Sequence, residues 1–183
     1  MFPIYDISGF VSQLPENIGS KEKRWVMPPR QHELPHRPHL FKIGRENTGE
    51  NWVERVCCEI GKALRLPCAN YEFAVHGNER GVISETFVPL GARLFLGNLL
   101  LSTIVDGYKG TKRFKQIEYK LSRVLNLIRR FPGMNPPMGW EEGQDALAAY
   151  EFFIGYLVLD ALVGNTDRHH ENWVSWRGRT VIR

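Results

Sequence analysis

The chain has 183 residues, of which 43% are apolar and 24% charged, enough to bury a sizeable core in one domain or in two small lobes. Its formal charge of +4 and pI near 9.0 come from Lys and Arg spread along the sequence, which suits an anionic ligand such as a nucleotide phosphate; direct nucleic-acid binding is not expected. No basic segment followed by an apolar run opens the chain, and the longest apolar stretch, Phe152 to Val163, is broken by Gly155 and Asp160; a secretory signal and a membrane partner are not expected, and this stretch reads as a buried helix.

Residues Met1 to Glu16 carry scattered apolar groups without a clear period and run into a turn-rich segment, Pro15 to Ser20. A strand is predicted at Arg24 to Met27, followed by a Pro/His-rich connector from Pro28 to Pro38 and a second strand at His39 to Ile43, which suggests a hairpin. From Asn51 to Leu66 the apolar positions Val53, Val56, Cys57, Ile60, Ala63 and Leu64 recur every three or four residues, an amphipathic helix stopped by Pro67. Cys57, Cys58 and Cys68 cannot all pair, so they read as reduced core thiols in a cytoplasmic protein. Tyr71 to Val75 and Gly81 to Phe87 flank the polar turn His76 to Gly81 and predict a second hairpin.

The remainder changes character. Leu94 to Leu101, Lys115 to Arg130 and Gly143 to Val163 all read as helices, with a Pro-rich break at Pro132 to Pro137. A strand-rich first part and a helical second part make an α+β chain of two lobes, residues 1–88 and 89–183, with a cleft expected between them and a junction near Val88 to Gly91.

After the last helix the chain reads Gly164-Asn165-Thr166-Asp167-Arg168-His169-His170-Glu171-Asn172. An Asp and an Asn five residues apart match the spacing at which a kinase catalytic loop holds its base and its metal-binding amide. Asp167 can orient an attacking hydroxyl and accept its proton, and the Asn172 amide oxygen can bind the divalent cation that neutralises phosphates. A solvated loop at a helix end explains the same spacing, and His169 with His170 raises a zinc site, though no Cys or third His lies at ligand spacing. Upstream, Lys42 stands among Leu40, Phe41 and Ile43 on a strand facing a core, where an ammonium needs an anionic partner, although a lysine that snorkels from an edge strand explains the same pattern. The next helix offers Glu54 and, farther along, Glu59. A strand Lys followed by a helix Glu is the pair that positions nucleotide phosphates in kinases, and Lys42, Glu54, Asp167 and Asn172 stand in kinase order. Gly19-Ser20-Lys21-Glu22-Lys23 combines small residues with positive charge before the first predicted strand, a candidate phosphate loop that matches neither Gly-x-Gly-x-x-Gly nor Walker A. At the lobe junction, the backbone of Ser84 to Val88 can meet an adenine edge; the Phe87 ring either packs on the base or, preferably, fills core.

Taken together, these segments resemble the HipA-like kinases, bacterial Ser/Thr kinases of toxin-antitoxin modules related to the phosphatidylinositol kinases. The resemblance runs from about Gly19 onward and is most specific at Gly164 to Asn172. It implies a two-lobed protein-kinase-like fold that binds ATP and Mg2+, with Asp167 as base, Asn172 on the metal, Lys42 on the phosphates and Glu54 holding Lys42. It also implies that Gly19, Ser20 and Lys21 form the phosphate loop, with Ser20 open to autophosphorylation, and that Glu85 and Phe87 present backbone to adenine. The family carries a second metal-binding Asp beyond a strand-turn-strand that here falls at Trp173 to Ile182; the sequence ends at Arg183 before it. The expectation is therefore a fragment, a naturally truncated protein, or a chain completed by a partner.

The expected activity is transfer of the ATP γ-phosphate to a Ser or Thr of a protein, with a toxin-antitoxin component as a possible substrate. The rivals are a kinase acting on a small molecule or lipid headgroup, and an inactive kinase-like binding module whose partner is a helix-turn-helix antitoxin or a complementing chain.

Overall fold

The computed structural model describes residues 2–15, 22–45, 47–88, 92–111, 116–131, 134, 136–137 and 149–177. The chain divides into two compact units, Met1–Phe87 and Val88–Arg183.

The first unit is a six-stranded sheet crossed by one helix. In chain order its elements are β1 (Ile4–Asp6), β2 (Val11–Pro15), β3 (Lys23–Met27), β4 (His39–Ile43), α1 (Glu50–Ala63), β5 (Tyr71–His76) and β6 (Glu79–Glu85). The sheet order is β1-β5-β6-β4-β3-β2; β1 runs parallel to β5 and every other pairing is antiparallel. The β5–β6 hairpin closes through Gly77-Asn78, where Gly77 has φ +59°, a left-handed first position that a residue without Cβ adopts at least cost. Successive β4 side chains alternate between the two faces of the sheet. His39 and Phe41 are buried, Phe41 within a core of Ile7, Phe10, Val26, Ala74 and Ile83, while Lys42 contacts α1 instead. That helix packs on β4, β5 and β6, with Glu50 in its first turn and Lys62 in its last, the favourable ends for each charge.

The two N-terminal strands, β1 and β2, replace the irregular stretch expected before Pro15. With three residues, β1 is too short to show a period of two, and its partners, Phe73 to Val75, lie some seventy residues away. Helix α1 ends at Ala63, three residues short of the expected limit, and Arg65 takes φ +57°.

In the second unit the elements are β7 (Arg93–Leu96), α2 (Gly97–Ser102), α3 (Leu121–Arg130), α4 (Ala149–Val163) and β8 (Val174–Arg177). Its core gathers Leu100, Leu101, Tyr108, Val124, Leu127, Ile128, Phe153 and Trp173. The helix expected over Leu94 to Leu101 is instead a strand followed by a short helix: Arg93 to Leu96 pair antiparallel with Val174 to Arg177, and the helix begins at Gly97, where an added Cβ would overlap the Trp173 indole. Lys115, the expected start of the second helix, lies outside the described residues; helix α3 begins at Leu121, after Tyr119 N–H closes a turn onto the Gln116 carbonyl and Lys120 takes an extended conformation. The first six residues of the helix predicted from Gly143 lie outside the described residues; from Ala149 it is helical. That helix is only partly buried. Phe152 and Phe153 face the core, whereas Ile154, Val158 and Leu162 are 42%, 59% and 62% exposed, one stripe at four-residue spacing. Among the described residues no helix is long and apolar enough to cross a membrane.

Candidate active-site residues

Lys42 lies on β4 and its ammonium donates to Glu54 Oε2 at 2.7 Å and to Tyr71 Oη at 2.7 Å. The two charged side chains are each 20% exposed, and the ammonium sits 4.7 Å from the Tyr71 ring centroid, a cation-π distance. Burial works against the ammonium charge, but the Tyr71 and Glu54 oxygens outweigh it and raise the Lys42 pKa. Burial raises the Tyr71 pKa as well, against the pull of Lys42, so both the ammonium and the phenol keep their protons at neutral pH. Of an ammonium's three donors, two are committed within the protein and one remains for an anionic ligand. Of the two glutamates that the sequence offered to Lys42, Glu59 pairs with Arg55 and Lys62, and Glu54 takes Lys42. Arg55 is itself buried, held by Glu72 at 3.0 Å and by the Tyr71 carbonyl, which ties α1 to the start of β5.

At the far end of β6, Glu85 pairs in the ladder with His39 and its carboxylate bonds Arg37 at 2.7 Å. Phe87 is 47% exposed. The preference for a core position is therefore corrected: β6 ends at Glu85, and two residues beyond the sheet the ring is left about half exposed. Gly19, Ser20 and Lys21 lie outside the described residues.

In the second unit the loop begins where Gly164, at φ +69°, ends α4 and Asn165 N–H donates back to the Asp160 carbonyl at 2.8 Å, a left-handed helix stop. Asn165 Oδ1 then accepts the Asp167 N–H at 3.1 Å, a turn typical of Asn. Asp167 presents a carboxylate 63% exposed. Asn172 returns to it, Nδ2 donating to Asp167 Oδ2 at 3.0 Å and to the Asp167 carbonyl at 2.5 Å. The five-residue spacing thus closes a ring in which the two side chains touch, and with Nδ2 on Asp167 the amide oxygen Oδ1 is the atom that could face a cation. A carboxylate and an amide oxygen are hard donors of the kind Mg2+ takes. His169 Nε2 lies 3.5 Å from Asp167 Oδ1. Its neighbour His170 points inward instead, 1% exposed, with Nδ1 and the Tyr108 hydroxyl 2.5 Å apart. Among the described residues no three His, Cys, Asp or Glu side chains converge as a metal site. The loop leaves through Trp173, and the His170 and Trp173 carbonyls accept the Asn98 and Gly97 N–H groups at 2.8 and 2.9 Å.

Three residues of these clusters escaped sequence reading: Tyr71, which shares Lys42; Asp160, whose carboxylate is bonded by Arg168; and Tyr119, which donates to the Arg168 carbonyl at 2.8 Å. Only Asp160 left a signal, as a charge in an otherwise apolar run.

No family model matches the chain, and neither does any curated protein. Among solved structures it is similar to the crystal structure of a Helicobacter pylori proinflammatory kinase, CtkA, with a TM-score of 0.69 and 20% identity, over 99% of this chain and 57% of that one. The chain thus spans a little over half the length of that neighbour. The likeness is one of fold, and the chain has a kinase-like α+β fold.

Proposed function

We propose that this chain is a kinase-type catalytic region of the HipA-like kind that binds ATP with Mg2+ and transfers the γ-phosphate to a Ser or Thr hydroxyl of a protein, a toxin-antitoxin component being one such substrate. The observation that carries the proposal is the Lys42–Glu54 pair: a strand lysine and a helix glutamate in kinase order meet at 2.7 Å in a chain of kinase-like fold. Lys42 binds a phosphate oxygen with its remaining donor, and Glu54 holds the ammonium against its burial. The backbone of Glu85 and Phe87 meets the adenine. Asp167 orients the acceptor hydroxyl and receives its proton as the oxygen bonds to the γ-phosphorus and the bond from that phosphorus to the β,γ-bridging oxygen breaks, so that ADP leaves with the bonding pair. Asn172 Oδ1 would hold Mg2+, which would supply the charge that neutralises the phosphates. The exposure of Asp167 leaves room for a macromolecular acceptor.

Incubation of the purified chain with Mg2+, γ-labelled ATP and a generic protein acceptor tests this. Magnesium-dependent label transfer is expected, with a loss of at least ~100-fold in Asp167→Ala while that variant still binds ATP. Lys42→Ala should lose binding. Transfer indifferent to Asp167→Ala would overturn the assignment, and partner association with no transfer at all would favour a binding module.

A further inference from the structure

The loop bearing Asp167 and Asn172 has no regular structure between Gly164 and Trp173, yet a single buried carboxylate reaches it on both sides. Asp160 lies in the last turn of α4, 7% exposed. Helix stability alone disfavours an acid there, because the C-terminal end of the helix dipole repels negative charge, and a buried carboxylate must be fully bonded. Both its oxygens are engaged: Oδ2 accepts from Arg168 Nε at 2.6 Å, and Oδ1 accepts from Arg168 Nη2 at 2.8 Å and from Asn165 Nδ2 at 2.8 Å. The two-toothed geometry fixes the guanidinium plane as well as its distance. Arg168 extends the chain of contacts, its Nη1 donating to the Asn172 carbonyl at 3.3 Å and its own carbonyl accepting the Tyr119 hydroxyl at 2.8 Å. Asn165 in turn accepts the Asp167 N–H. One carboxylate therefore braces the residue two before Asp167, the residue after it and, through Arg168, the backbone of Asn172.

We propose that Asp160 and Arg168 are positioning residues that hold Asp167 and Asn172 in their mutual geometry, so that phosphate transfer depends on this clamp. The proposal rests on the kinase reading for its effect on rate, but the clamp itself can be measured without turnover. Asp160→Asn keeps shape and removes the charge, at the risk of leaving the half-buried Arg168 without its ionic partner. The double variant Asp160→Leu with Arg168→Met removes the clamp without stranding a charge, and such replacements usually retain folding.

Hydrogen exchange of residues 164–172 and steady-state transfer, in the wild type and the double variant, decide the matter. The expected result is a native-like melting temperature, at least ~10-fold faster exchange at the Asn165 and Asp167 amides, and kcat lower by about 100-fold with KM for ATP within a few-fold, as for small misplacement of reacting groups. Unchanged exchange overturns the clamp. Faster exchange with unchanged kcat overturns its role in transfer. Should the wild type itself transfer no phosphate, the kinase reading falls, and with it the effect on rate, whereas the exchange comparison still decides whether Asp160 and Arg168 hold the loop.

Discussion

Lys42 shows how much one ammonium depends on its partners. Burial opposes its charge, and two oxygens, Tyr71 Oη and Glu54 Oε2, restore it. Because the Tyr71 phenol stays protonated, Tyr71→Phe removes a hydrogen bond and no charge; with a net hydrogen bond of about 1 kcal/mol, ATP affinity measured by calorimetry should weaken by roughly 5-fold while the fold is retained. Unchanged affinity would mean that Glu54 alone aims Lys42. The buried histidines carry a different consequence. Burial holds the pKa of both His39 and His170 below the ordinary 6.5, Glu171 partly opposing it at His170. The folded state then binds fewer protons than the unfolded chain, so the stability these residues provide is present above pH 6.5 and is lost as pH falls below it. Each can contribute at most about 1.4 kcal/mol per pH unit. Urea midpoints measured between pH 7 and 5.5 should fall with pH, and more shallowly in His170→Gln.

At the level of elements, the reading of the sequence succeeded where the pattern is local and failed where pairing decides. Helix α1 is legible because Val53, Val56, Cys57 and Ile60 repeat at helical spacing, but the residues it buries are Arg55, Cys58 and Gly61, and Val53 and Val56 stay exposed, so the period revealed the helix and not its buried face. The β5–β6 hairpin is legible because a Gly sits at the turn. Leu94 to Leu101 reads as helix because an apolar run has no period of its own, and pairing with β8, about eighty residues on, makes its first residues a strand. Strand β4 is held against β6 where Gly81 opposes Ile43, and a Cβ on Gly81 would overlap the Lys42 carbonyl. Gly81→Ala should therefore cost about 1–3 kcal/mol, as overpacking does, and shift Lys42, weakening ATP binding alongside a lower denaturation midpoint. A variant of wild-type stability would show that the strands part there without strain.

Over the whole molecule, the residues assigned to phosphate transfer come from two separate stretches of the chain: Lys42 and Glu54 in the unit Met1–Phe87, Asp167 and Asn172 in the unit Val88–Arg183. A ligand that binds only the folded state stabilises it by about 2.7 kcal/mol at a hundredfold excess over its dissociation constant, or roughly 5–10 °C for a chain of this size. With ATP and Mg2+ a rise in melting temperature of that order is expected by calorimetry; chelating the metal should remove part of it, and Asn172→Ala should remove the same part. A shift insensitive to both would withdraw the metal assignment from Asn172.

By itself the sequence determined the order in which Lys42, Glu54, Asp167 and Asn172 stand, the helix that carries Glu54, and the loop in which Asp167 and Asn172 lie five apart, because each of these is written within a few neighbouring positions. Tertiary structure decided which glutamate meets Lys42, that Tyr71 shares it, that Phe87 is left exposed, and that Asp160, an interruption in an apolar run, is bonded by Arg168 beside the loop. Those choices depend on which groups burial brings together and leaves in need of a partner, and local periodicity carries no record of a partner far along the chain.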